Sequence, residues 1–264
     1  MPKILFLKNP NPDPARDQYA ISARSNGYDS CFLPVLSHTF VDQAGLRTCL
    51  SDLAANADKG QPVDALIITS QRAVEAVASA LLELADSTQS YIRSLPLYTV
   101  GPATAALVQT HGFNKVLGGP DAGNGRILAS QIVKALPRRC LFFTGETRRD
   151  VIPVTLREHG IECIERVVYA SEGVEGVEKQ FIELITNDRK EQVWWTVFFS
   201  PAGSESIARQ IFLANNNSGG MTKVAAIGPT TEEFLLKIGV TPDTVSRKPD
   251  PESLLQGINE ASPS

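Results

Sequence analysis

Apolar positions along this chain fall into short solid runs, separated by longer stretches in which they recur every three or four residues. The runs lie at 3–7, 30–35, 64–69, 97–100 and 115–118, and then at 140–144, 162–168, 194–199, 223–227 and 243–246. They show little alternation, as expected of strands buried on both faces of a parallel sheet. The stretches between them are amphipathic: Ala73, Val74, Val77, Leu81 and Leu84 share one helical stripe. A residue-Gly-apolar signature closes four of these stretches, at Asn26-Gly27-Tyr28, His111-Gly112-Phe113, His159-Gly160-Ile161 and Ile238-Gly239-Val240. Glycine takes the left-handed conformation that ends a helix. Ser200-Pro201, Gly101-Pro102 and Gly228-Pro229 each read as a cap followed by proline at the first helical position. The pattern predicts an α/β chain of doubly wound parallel sheets.

The second half repeats the punctuation of the first at an offset of about 130 residues, the mark of a duplicated unit. Ile67 to Ala73 aligns with Val197 to Gly203, Val100 to Thr104 with Ile227 to Thr231, and Gly125 to Leu128 with Glu252 to Leu255. In the other direction, Ile4 to Leu7 aligns with Leu141 to Thr144. A length of 264 residues suits two domains of five strands. Glu172 to Gly176 and Asn215 to Gly220 read as short spacers, and Ala261 to Ser264 as a frayed tail.

With 42% apolar and 20% charged residues, the composition is that of an ordinary globular protein. A net charge of −4 argues against a nucleic-acid platform. No apolar run approaches a membrane span, and the apolar stretch after Met1-Pro2-Lys3 is too short for a signal peptide. Cys31, Cys49, Cys140 and Cys163 have no metal-ligand spacing and read as free thiols of a reducing cytoplasm. His111 and His159 read as helix-end caps.

In parallel sheets, ligands bind beyond the carboxyl ends of the strands. Those ends carry Lys8-Asn9, Thr69 to Arg72, Gly101 to Thr104, Thr144 to Thr147, Ser200-Pro201 and Gly228 to Thr231. The set is rich in hydroxyls and helix N-termini and poor in carboxylates and histidines. With Lys8, Arg72, Arg148, Arg149 and Lys223 nearby, it suits an anionic ligand. The same residue types also serve any strand-to-helix turn as caps, so each alone reads first as structure, and it is the repeated set with its cations that leans towards anion binding. The chain contains no G-x-G-x-x-G after its first strand, no G-x-x-x-x-G-K-[ST] and no G-x-S-x-G. Dinucleotide, P-loop and α/β-hydrolase chemistry are thereby disfavoured. Tyr169, at the end of its strand, is the titratable group that stands out, although an amphipathic tyrosine there also has a purely structural reading.

On Lys3 to Lys8, Leu33 to Ser37, Thr69 to Ala76, Val100 to Thr104, Val168-Tyr169, Phe198 to Gly203 and Lys223 to Thr231, the chain resembles the uroporphyrinogen-III synthase family. The resemblance spans the whole length. It implies two flavodoxin-like domains, residues 1–35 plus 172–264 and residues 40–165, with a cleft between them. A two-stranded ladder at about 33–39 and 166–171 would join them, pairing Leu33 to Ser37 with Val167 to Ser171. The implied reaction closes the linear tetrapyrrole hydroxymethylbilane to uroporphyrinogen III with inversion of ring D and loss of water, using no cofactor and no metal. Tyr169 is implied to assist departure of the hydroxyl group. Thr104, Ser200, Thr230 and Thr231 match hydroxyl-bearing positions of the cleft, beside the helix starts at Gly101 and Gly228. Ser70, Arg72 and Lys223 match positions near it, with carboxylate binding as their expected task. The expected protein is a cytoplasmic monomer that binds neither nucleic acid nor membrane. A two-lobed binding protein that closes on an anionic metabolite without chemistry is the alternative.

Overall fold

The computed structural model of the chain describes residues 2–11, 13–57, 62–187, 194–218 and 222–262. In chain order the elements are β1 (Lys3–Leu7), α1 (Gln18–Ser25), β2 (Asp29–Phe32), β3 (Leu36–Phe40), α2 (Gln43–Ala55), β4 (Ala65–Ile68), α3 (Gln71–Leu82), α4 (Asp86–Ser94), β5 (Leu97–Val100), α5 (Pro102–Thr110) and β6 (Val116–Gly119). There follow α6 (Gly125–Ala135), β7 (Arg139–Gly145), α7 (Val151–Glu158), β8 (Glu162–Gly173), α8 (Val177–Asn187), β9 (Trp194–Phe198), α9 (Glu205–Ser218), β10 (Lys223–Ala226), α10 (Pro229–Ile238), β11 (Thr244–Val245) and α11 (Pro251–Ala261).

The chain divides into two compact units, residues 1–37 with 172–264 and residues 38–171. In the first, a five-stranded parallel sheet runs β11-β10-β9-β1-β2. Alternate residues of β1 serve opposite cores. Leu5 and Leu7 pack with Phe181, Ile207 and Leu235 on one face; Ile4 and Phe6 pack with Ala23, Leu254 and Ile258 on the other. The second unit runs β3-β8-β7-β4-β5-β6 and is built the same way. Leu66 and Ile68 of β4 face α2, α3 and α5, while Ala65 and Ile67 face α6 and α7. Burial on both faces is the reason these strands lack alternation in the sequence.

Numbered within its own unit, the first sheet has the flavodoxin order 2-1-3-4-5. The parallel strands of the second, β8-β7-β4-β5-β6, read instead 5-4-1-2-3. The two coincide once β7 is matched with β1, β8 with β2 and β4 with β9. The second unit is thus the same fold in circularly permuted chain order, which explains why one of the sequence repeats ran in the opposite direction.

Three local expectations are corrected. Ser200-Pro201 opens a turn, and α9 starts only at Glu205. Gly203, at φ +74°, breaks the helical run in between, and any β-carbon there would collide with the Val35 carbonyl oxygen. The two-stranded ladder is formed by β3 with β8, beginning at Leu36 rather than Leu33. Pro34 has no N–H to offer, and the Leu33 amide is spent on the Phe6 carbonyl at 3.0 Å. The Glu172 and Asn215 spacers are also shorter than expected: β8 continues to Gly173, α9 continues to Ser218, and Gly219-Gly220 lie outside the described residues. The four helix-ending glycines all take positive φ, and the amides of Tyr28, Ile161 and Val240 close back onto Ala23, Leu156 and Leu235.

Candidate active site

In the second unit the connections leave β4 and β7 on opposite faces, so the gap beyond their carboxyl ends is the switch point of that sheet. A cavity of about 700 Å³ opens there, with Ser70, Thr144, Arg126, Arg148, Arg149 and Tyr169 in its wall. Ser70 caps α3, its hydroxyl accepting the Arg72 amide at 3.2 Å. The Arg72 guanidinium is committed to Glu75 one turn on, at 2.8 and 3.1 Å. Arg148 is held by both Glu165 and Asp150, which raise its pKa further. Arg126 and Arg149 are exposed and have no ion pair among the described residues, so their charges remain available. Of the other assigned residues, Gly101 spends its amide on the Gly119 and Ala122 carbonyls, and Thr104 is buried in α5. Neither lines this cavity.

Tyr169 reaches the cavity because β7 and β8 slip in register: Thr144 pairs with Val167, but Gly145 pairs with Tyr169. Its ring is met edge-on by His38 of β3, centroids 6.4 Å apart. His38 Nδ1 lies 2.8 Å from the Ser171 hydroxyl. Burial, followed by the nearby Arg72 charge, lowers the His38 pKa from its usual 6.5, so the ring is neutral at pH 7.

In the first unit the switch point lies between β1 and β9. Lys8 follows β1, and its ammonium stands 4.9 Å from the ring centre of Tyr19, 5.2 Å from Phe32 and 5.8 Å from Phe199. It donates to Asp17, whose side chain is 2% exposed. Asp17 also accepts from the amides of Asn11, Tyr19 and Ala20. Burial pushes this carboxyl up, but the bonds from Asn11, Ala20 and Lys8 outweigh it and leave the pKa below its ordinary value. Ser200 follows β9 and donates to the Ala202 carbonyl at 3.3 Å. Gly228, Thr230 and Thr231 line a cavity of about 210 Å³ together with Arg247 and Lys248.

Lys223 does not join them. It begins β10, at the amino end of the strand, where its ammonium binds the Ala261 carbonyl at the end of α11 at 2.5 Å and lies 5.3 Å from the Trp195 ring centre. A cation at a helix C-terminus is a stabilising device, worth about 0.3–1 kcal/mol. With the ring contact, Lys223→Met is expected to lower stability by about 1 kcal/mol in urea unfolding.

Sequence reasoning missed Asp17, His38, Arg126, Arg247 and Lys248. The Arg247-Lys248-Pro249 stretch directly follows the predicted strand at 243–246 and could have been read as another strand-end loop. His38 carried no such signal, because it sits on β3, whose start was placed three residues too early. Burial raises the thiols of Cys31 and Cys163 to about 11 and that of Cys140 to about 12, so none is a thiolate at neutral pH. Among the described residues no group of His, Cys, Asp and Glu could hold a metal ion, and no helix is long and apolar enough to cross a membrane.

These features define a class: paired flavodoxin-type units, permuted with respect to each other, each presenting hydroxyls and cations at the carboxyl ends of its strands. Residues 17–256 match the family model for uroporphyrinogen-III synthase HemD. The uroporphyrinogen-III synthase of Saccharomyces cerevisiae is 38% identical over 97% of this chain and 95% of its own; that of Schizosaccharomyces pombe is 32% identical over 92% and 91%. Among solved structures, the synthetase from Helicobacter pylori, 19% identical, superposes with a TM-score of 0.60 over 99% of this chain and 100% of its own. That from Thermus thermophilus, a mutant at 17% identity, gives 0.52 over 99% and 98%. At these identities the two structures speak to the fold. The chain belongs to the uroporphyrinogen-III synthase family.

Proposed function

We propose that the chain cyclises hydroxymethylbilane to uroporphyrinogen III, inverting the terminal ring D through a spiro intermediate and releasing the terminal hydroxyl group as water. Family membership over nearly the whole chain is the observation that carries this reading. The substrate bears acetate and propionate groups, and the hydroxyls and cations found at strand ends are groups suited to binding carboxylates. Tyr169 is taken as the group that hydrogen-bonds the departing hydroxyl. Ser70, Arg72, Gly101, Thr104, Ser200, Gly228, Thr230 and Thr231 are taken as substrate-facing, and Arg126, Arg149, Arg247 and Lys248 join them as carboxylate partners. Arg72 would have to release Glu75 to take part. The substrate closes unaided to the wrong isomer, so the protein's task is to impose a conformation, and such positioning supplies up to about 7–11 kcal/mol in favourable cases. The reading needs no cofactor or metal. It takes the protein as a cytoplasmic monomer, a compartment that suits four free cysteines.

The test is product analysis. Freshly generated hydroxymethylbilane is incubated with the protein, and the oxidised porphyrins are separated by isomer. Isomer III in large excess is the expected result. Isomer I alone, formed at the uncatalysed rate, would overturn the reading and leave a protein that only binds.

A further inference from the structure

We infer that Gly145 is a positioning residue for Tyr169, present so that the phenol can lie across the end of β7 and present its hydroxyl to the cavity. This rests on the catalytic role proposed above for Tyr169. The backbone at Gly145 makes no demand for glycine, since its φ is outside the left-handed region. Space does. A β-carbon at this position would lie 2.5 Å from Tyr169 Cζ, 2.8 Å from Oη and 2.9 Å from Cε2. These are distances that non-bonded carbon and oxygen atoms do not adopt, and the atoms concerned are those at the reactive tip of the ring.

The register explains how the two residues come together. Without the slip between Thr144 and Gly145, Val168 would stand beside Gly145 and Tyr169 would stand beside Glu146. The extra residue, Val168, is fully buried in the core and gives its carbonyl to the Val41 amide of the neighbouring segment at 3.0 Å. The Glu146 amide then closes onto the Tyr169 carbonyl at 3.0 Å. A bulge of this kind re-aims a side chain. Here it sets the phenol over the one residue type that leaves it room. His38 meets the same ring edge-on and helps define its place. Because the obstructing atoms belong to the far end of a partly exposed side chain, a methyl group at position 145 displaces the phenol more readily than it disrupts the fold. The loss therefore falls on turnover.

Gly145→Ala is compared with wild type, Tyr169→Phe and the double variant by kcat, KM and isomer ratio. The expected result is a drop in kcat of at least tenfold with KM changed less than threefold. The double variant should be no slower than Tyr169→Phe alone, because both changes remove the same hydroxyl from the same place. Undiminished kcat in Gly145→Ala, or losses that multiply in the double variant, would overturn the inference. A readout independent of activity separates this outcome from failure of the functional reading. With 13C-labelled tyrosine, the Tyr169 signal (identified by its loss in Tyr169→Phe) should shift in Gly145→Ala while those of the other tyrosines stay in place; an unmoved signal counts against the inference. If Gly145→Ala does not fold, Tyr169→Leu added to it should restore folding by vacating the space, and continued failure to fold would show that the ring is not what the methyl group meets.

Discussion

Replacing Tyr169 by Phe is expected to lower kcat for hydroxymethylbilane by about 10²–10⁴-fold, the range for losing one positioned proton-donating or hydrogen-bonding group. The ring itself is retained, so its packing beside Gly145 and His38 is undisturbed and the thermal midpoint should stay close to that of wild type. A phenol is a good hydrogen-bond donor to an oxygen that gains charge as it leaves. The loss should therefore appear in kcat rather than in KM, read from steady-state rates corrected for spontaneous closure. Unchanged turnover would remove the role assigned to this tyrosine.

The second large effect lies at the other switch point. Asp17→Ala is expected to destabilise the protein by about 3 kcal/mol, because it removes a helix cap and leaves buried donors without their acceptor. Three amides and the Lys8 ammonium would lose their acceptor. Urea unfolding measures the loss. The pH dependence gives an independent check. The folded state holds the Asp17 carboxyl below its ordinary value of 3.8, so on acidification the unfolded chain takes up a proton there first. The contribution is complete above about pH 5 and is lost as pH falls through the folded value. Asp17→Ala should flatten that part of the stability profile.

Much of the fold was legible because the chain buries its strands on both faces and marks helix ends with glycine. The run Ala65 to Ile68 is apolar throughout, and it is a central strand between two cores. What could not be read was strand order, since hydrophobic period reports an element's surroundings but not which strand lies beside it. The permutation of the second sheet became visible only with the pairing of β4 and β7. Positions that follow a strand, such as Ser70 and Thr230, could be placed from the sequence, whereas Tyr169 lies within β8 and comes to the cavity through a register slip that no pattern announces. Placement failed for Lys223, which shares a short apolar segment with Gly228 yet stands at the opposite end of the strand. Ser200-Pro201 failed for a different reason: local capping chemistry was overridden by Gly203 and its close approach to Val35.

The permuted order also bears on how the chain comes off the ribosome. The strands of residues 38–171 are contiguous in sequence, and that unit can complete its sheet as it emerges. β1, by contrast, is flanked by β2 on one edge and by β9 on the other, and β9 is made only after the whole intervening unit. β1 must therefore wait with one edge unpaired until β9 is made, exposed to the hazards of unpaired strand edges. Closing so long a loop costs little more entropy than closing a shorter one, since the penalty grows only logarithmically. The delay is thus a matter of timing rather than of final stability, and the open edge of β1 is where a holding chaperone would have most to protect.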